Sequence, residues 1–234
     1  MQTSEIEYSI DGVTYIGHLA VPDGNDPRPG VLVCHEAPGL THHARGRADR
    51  IAEEFGYVAF ALDYWGGGTT LPADILWPTF EKLRSDKALT RVRAKAGLDV
   101  LLAQPRVDHS RVASIGYCFG GTMSLELGRA GVPLKAMVGF HSGLQNSDPA
   151  DAANITGSVL VCIGVDDPGI PPAQRLEFEE SMNAGGVDWQ MILYSQTEHS
   201  FTNKDADRPG FRYQPRTDER SWRAMADFFR EKLG

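Results

Sequence analysis

Residues 111–129 read RVASIGYCFGGTMSLELGR, and their pattern decides the fold. Val112 to Ile115 is a short apolar run of strand character, and Met123, Leu125, Leu127 and Ala130 mark a helix. Between them lies Gly116-Tyr117-Cys118-Phe119-Gly120-Gly121, so the stretch predicts strand, tight turn and helix with a cysteine at the apex. A side chain on such a turn sits in strained backbone geometry, and the residues two before and two after it pass too close for anything beyond a hydrogen. Those positions are Gly116 and Gly120. The turn also sets Cys118 at a helix N-terminus, where the dipole favours thiolate over thiol. An inert buried cysteine is the other reading of the hexapeptide alone.

Outward from this stretch, strands and helices alternate. Residues 5–21 flank Asp11-Gly12, which predicts an N-terminal β-hairpin. Gly30 to His35 is an unbroken apolar run containing Cys34, as expected of a strand buried on both faces. A helix follows from a Thr41 cap to Phe55, then a strand over Tyr57–Leu62. Leu71–Ser85 is ambiguous and reads as a helical excursion with Trp77 and Phe80 facing inward, and Asp86–Leu102 has helical period. Beyond the opening stretch come strands at Ala136–Phe140, Val159–Ile163 and Trp189–Tyr194, and helices over Pro171–Ala184 and about Thr217 to Leu233. This order predicts an α/β fold in one domain, residues 1–234, with a mostly parallel sheet flanked by helices and ligands bound at the strands' C-terminal ends.

Composition narrows the partners. Lys+Arg 23 against Asp+Glu 31 gives a net charge of −8 with no basic cluster, which argues against nucleic acid and anionic membranes. No stretch approaches the roughly 20 consecutive apolar residues of a membrane span, and MQTSEIEYSI lacks the pattern of a signal peptide. Three cysteines, widely spaced, suit a reducing cytoplasm rather than a disulfide framework. No cofactor or metal is expected. His35, His42 and His43 lie near Glu36, but His-Glu-x-x-His fails at Gly39. The glycine-rich Asp63–Gly68 lacks the lysine and helix of a phosphate loop, and is expected to form a flexible wall of the site.

The segments just past the later strands complete the chemistry. Cys118, then Asp166-Asp167, then His199 emerge in that order at strand ends, the chain order of an α/β-hydrolase triad. His199 would take the thiol proton and return it to the leaving group, and the acid would fix its tautomer. The amide of Phe119 and that of Ala37, in the loop after the Cys34 strand, are the candidate oxyanion donors. Tyr64, Trp65, Trp77, His141, Phe201 and Asn203 are candidate pocket residues. His141 comes after the Phe140 strand and either lines the pocket or caps a loop; the aromatics read equally as core.

Through Gly-Tyr-Cys118-Phe-Gly-Gly, His35-Glu36-Ala-Pro-Gly39, Asp167-Pro-Gly-Ile-Pro171 and His199-Ser-Phe201, the chain resembles the dienelactone hydrolase family of α/β-hydrolases over nearly its whole length. The resemblance implies the α/β-hydrolase fold and a Cys118-His199-Asp167 triad that cleaves esters or lactones through a thioester. It selects Asp167 over Asp166 and gives Glu36 the role of holding or deprotonating the resting thiol. Family members that act on carboxylated lactones carry an arginine four residues beyond the histidine; Asn203 stands there, with Lys204 next. A neutral or aromatic small-molecule ester is therefore expected rather than dienelactone itself. A phosphotriester attacked by the same cysteine is the alternative, and a non-catalytic binding scaffold is the alternative of another class.

Overall fold

Asp11 and Gly12 take φ of 50° and 78°, the left-handed pair that a two-residue hairpin turn requires. They join β1 (Gln2–Ile10) to β2 (Val13–Val21) with Ile10 opposite Val13, as the Asp-Gly signal predicts. Gly17 on β2 faces the Phe60 ring, where a Cβ would lie 2.1 Å from it. The computed structural model describes residues 1–145 and 148–234, which group into two units, Met1–Ser114 and Ile115–Gly234.

In the first unit, β3 (Arg28–Cys34) and β4 (Val58–Ala61) are buried along almost their whole length and pair in parallel, while β2 pairs antiparallel with β4. Helix α1 (His42–Phe55) connects them. Thr41 caps it by accepting from the His43 amide, and Gly56 ends it at φ 67°. Its Ala44, Ala48, Ile51 and Ala52 stripe is buried at helical spacing. Helices α2 (Ala73–Ser85) and α3 (Lys87–Leu102) come next, the latter capped by Asp86.

Helix α2 corrects the expectation for Trp77. Leu76, Phe80 and Leu83 share the inward stripe, whereas Trp77 lies about 100° round the helix from Leu76 and is 52% exposed. Apolar residues at 75, 76, 77 and 80 cannot all share one face of a helix; Leu76 and Leu83, seven apart, decide which face packs.

Strand β5 (Val107–Tyr117) runs from the first unit into the second and begins five residues earlier than the apolar run at Val112. Its added residues Asp108, His109 and Ser110 are polar and largely solvent-facing, so they carry no apolar signal. Strand order is β1-β2-β4-β3-β5 in the first unit. In the second it is β5-β6-β7-β8, with β6 (Ala136–Phe140), β7 (Ser158–Gly164) and β8 (Trp189–Tyr194) in parallel register. Helices α4 (Phe119–Arg129), α5 (Pro172–Ala184) and α6 (Pro215–Leu233) complete this unit. The fold is α/β with a mostly parallel sheet and flanking helices. A small antiparallel pair, β9 (Asp207–Arg208) and β10 (Phe211–Arg212), adds to the expected elements; its sequence signal is the turn dipeptide Pro209-Gly210 between them. Among the described residues no helix is long and apolar enough to cross a membrane.

Candidate active site

In the second unit, four consecutive strands deliver one polar side chain each just past their C-terminal ends. Cys118 comes after β5 and His141 after β6, while Asp167 lies in the turn after β7 and His199 in the turn after β8.

Cys118 sits at φ 54° and ψ −121°, a conformation that costs of order 1–3 kcal/mol for a residue with a side chain. The surroundings hold it there. Its amide donates to Phe140 O at 3.0 Å and to His141 Nδ1 at 3.1 Å, and its carbonyl accepts from the Gly121 amide at 3.1 Å. A Cβ on Gly116 would lie 2.0 Å from Gly120 O, so hydrogen alone fits. Gly121 carries a requirement that the turn rule does not state: its Cβ would fall 1.6 Å from Ser142 Oγ. Cys118 is half-buried at the N-terminus of α4, whose first residue is Phe119.

The structure separates the two adjacent aspartates. Asp166 is exposed, while Asp167 is 3% exposed and points inward. Asp167 Oδ1 accepts from the Gly169 amide at 2.8 Å, and Oδ2 lies 2.7 Å from His199 Nδ1. Buried Arg175 braces this turn by donating to the carbonyls of Gly164, Val165 and Ile170. Gly164 lets the acid turn meet the histidine turn, since a Cβ there would lie 2.2 Å from Thr197 O. Neither Arg175 nor Gly164 stands out in the sequence, because each acts through a contact that no local pattern announces.

The β9–β10 pair holds His199 from the other side: the His199 amide donates to Gly210 O, and its carbonyl accepts from Arg212. The Phe211 ring meets the imidazole edge-on at 5.0 Å, and the Arg208 guanidinium lies over that same Phe211 ring, 4.1 Å from its centroid. Burial by itself would lower the His199 pKa. The charge on Cys118, the Asp167 hydrogen bond and the Cys118 hydrogen bond outweigh it and raise the value to about 10. With a folded pKa above the ordinary 6.5, the protonated ring contributes stability that is full below about pH 6.5 and lost as pH rises through about 10. Cys118→Ala removes the largest raising cause. His199 in that variant will titrate at lower pH, so the alkaline loss of stability will still begin near pH 6.5 but will be smaller and complete at a lower pH. Imidazole NMR across the alkaline range checks this, and an unchanged titration overturns Cys118 as a cause of the raised His199 pKa.

Other expected pocket residues resolve as support. His141 is fully buried; it accepts the Cys118 amide at Nδ1 and lies 2.8 Å from Thr202 Oγ1 through Nε2, so it underlies the cysteine rather than lining an open wall. Phe201, also fully buried, packs edge-on against His141 at 5.1 Å. Asn203 Oδ1 accepts from the Asp205 amide and so caps its own turn.

In the first unit, Glu36 is buried 3.6 Å from His43 Nδ1. Its loop is held by aromatics. Tyr64 stacks on His35 at 3.6 Å and donates its hydroxyl to Glu36 O, and Trp65 Nε1 donates to Ala37 O at 2.7 Å. Tyr64 and Trp65 are therefore core supports of the Glu36–Ala37 loop. Burial pushes the His35 pKa down to about 4, so this ring stays neutral. The glycine-rich loop is held by hydrogen bonds to one side chain. Buried Asp63 accepts from the amides of Ile16, Trp65, Gly66 and Gly68, so an internal carboxylate takes the donors that a phosphate would need.

Comparison with known proteins gives the family. The model of the dienelactone hydrolase family matches residues 16–233. The chain is similar to the crystal structure of a dienelactone hydrolase-like promiscuous phosphotriesterase, P91, from metagenomic libraries. The two are 40% identical with a TM-score of 0.96, covering 100% of this chain and 99% of that one. A second solved structure, m3DLH, is 42% identical with a TM-score of 0.95 over 100% of this chain and 99% of its own. Protein usf of Aquifex pyrophilus is 29% identical over 236 residues, 97% of this chain and 98% of that protein.

Proposed function

We propose, from the premise that this chain belongs to the dienelactone hydrolase family and is a hydrolase, that it cleaves uncharged carboxylic esters or lactones through a thioester on Cys118. One observation carries the reading: His199 Nδ1 lies 2.7 Å from Oδ2 of buried Asp167, and the neighbouring Cys118 is a cause of the raised His199 pKa. In this reading the Cys118 sulfur attacks the acyl carbon and charge builds on the carbonyl oxygen, facing the Phe119 amide and, by the family resemblance, that of Ala37. Collapse expels the alkoxide, which takes its proton from the His199 imidazolium. Neutral His199 then removes a proton from water as it attacks the thioester, and the thiolate leaves. Glu36 keeps the role that the resemblance gives it, as partner of the resting thiol, and residues 1–234 act as one catalytic domain.

Asn203 supports an uncharged substrate, because a neutral side chain engaged in its own turn offers a carboxylate no guanidinium. The similarity to P91 favours a second reading for the same site. Cys118 attacks the phosphorus of a phosphotriester, the aryloxide leaves, and water releases the phosphodiester from sulfur.

Intact-mass spectrometry after mixing with p-nitrophenyl acetate tests the main reading, with dihydrocoumarin and paraoxon as the lactone and phosphotriester probes. The expected result is a transient acetyl adduct on Cys118 that decays with turnover. No adduct with any ester overturns the enzyme in favour of a binding scaffold, and a paraoxon rate equal to buffer rejects the second reading.

A further inference from the structure

His141 is the one of the four strand-end residues that the proposed reaction does not use, and its contacts span both groups that the reaction does use. It sits just after β6 at φ 40°, where histidine, asparagine and aspartate are the side chains most readily tolerated. Its own amide donates to Cys162 O at 2.9 Å, and its ring is fully buried. Nδ1 lies 3.1 Å from the Cys118 amide nitrogen, so this ring nitrogen accepts and carries no proton. The ring proton is then on Nε2, which donates to Thr202 Oγ1 at 2.8 Å. Thr202 sits three residues beyond His199 on the same turn, and the two imidazoles meet edge to face at 5.0 Å.

One planar ring thus accepts from the backbone of the candidate nucleophile on one side and donates to the loop of the candidate base on the other. We propose that His141 is a positioning residue for hydrolysis, holding Cys118 in its strained conformation and fixing the place of the His199 loop beside it. The proposal rests on Cys118 as nucleophile and His199 as base. No other residue type supplies an acceptor and a donor in fixed positions on opposite edges of a rigid, apolar-faced ring. Phenylalanine keeps the shape and loses both bonds; asparagine keeps an acceptor near the Nδ1 position and a backbone that suits φ 40°.

The test compares His141→Phe, His141→Asn and Thr202→Val with the parent on p-nitrophenyl acetate, with rates referred to the fraction of folded enzyme. His141→Phe is expected to lower kcat by about 10²-fold, the scale of a misplaced catalytic pair, and to change KM by less than about twofold because no substrate contact is lost. His141→Asn should recover part of that loss. Thr202→Val should lower kcat less, and adding it to His141→Phe should cost less than it does alone, since the shared bond is already gone. Imidazole NMR of the variants should show His199 titrating at lower pH than in the parent, where its pKa is raised, a change that general destabilisation does not produce. A kcat within about twofold of the parent in His141→Phe, or in both His141→Asn and Thr202→Val where His141→Phe fails to fold, overturns the positioning role. Cys118→Ala is run alongside. If it retains activity, the nucleophile reading falls and this role with it; if it is inactive while the His141 variants match the parent, only the positioning role falls.

Discussion

Cys118→Ala will lower kcat/KM for p-nitrophenyl acetate by about 10⁴-fold or more while the protein stays folded. Alanine keeps the Cβ that Cys118 already carries at φ 54°, so the turn bears the same strain, and only a half-buried sulfur is lost. No other cysteine can substitute. Cys34 and Cys162 are fully buried in β3 and β7, and burial raises both thiols, Cys162 to about 12. The same contrast predicts that iodoacetamide modifies Cys118 alone in the native protein and stops turnover in step with that modification. Kinetics joined to peptide mapping read both results. Retention of most activity in Cys118→Ala, or in fully alkylated enzyme, rules out the covalent mechanism.

Asp167→Asn is expected to reduce kcat by up to about 10⁴-fold, and Asp166→Asn to leave it near the parent value. Oδ2 of Asp167 receives the Nδ1 proton of His199, which leaves Nε2 to face the sulfur and the leaving group. An asparagine amide that turns its nitrogen toward Nδ1 favours the opposite tautomer, with the proton on the wrong side for catalysis. It also removes a negative charge and a hydrogen bond that raise the His199 pKa, so the His199 titration should move down with activity. Asp166 is exposed, and its amide rather than its carboxylate joins the site's framework, by donating to Thr197 O. Equal losses in the two variants would return the acid assignment to an open choice.

The elements legible in the sequence are those with a local cause. Asp11-Gly12 requires a hairpin, Thr41 and Asp86 cap helices, and the apolar runs of β3, β6 and β7 have no favourable place except inside a sheet. The polar start of β5 is silent because solvent-facing residues at a strand end need no apolar pattern. Trp77 departs from its expected place because α2 has more apolar residues than one helix face can bury. The β9–β10 pair is two residues long on each side, too short for periodicity to register.

For the site, the order of Cys118, Asp167 and His199 and the glycines around the cysteine are properties of the chain itself. A strand-turn-helix with hydrogen-only positions, succeeded by an acid and a histidine after later strands, specifies which chemistry arrives at the strand ends. Which of two identical neighbours faces the histidine is another matter. Asp166 and Asp167 differ only in direction, and that direction comes from a turn braced by Arg175 and from the close approach of Gly164 to Thr197. The joining of His141 to both Cys118 and Thr202 is likewise a product of packing. A lone histidine after a strand has no pattern to announce it, because its partners lie 23 and 61 residues away in the chain and meet it only when β5, β6 and the turn after β8 are assembled.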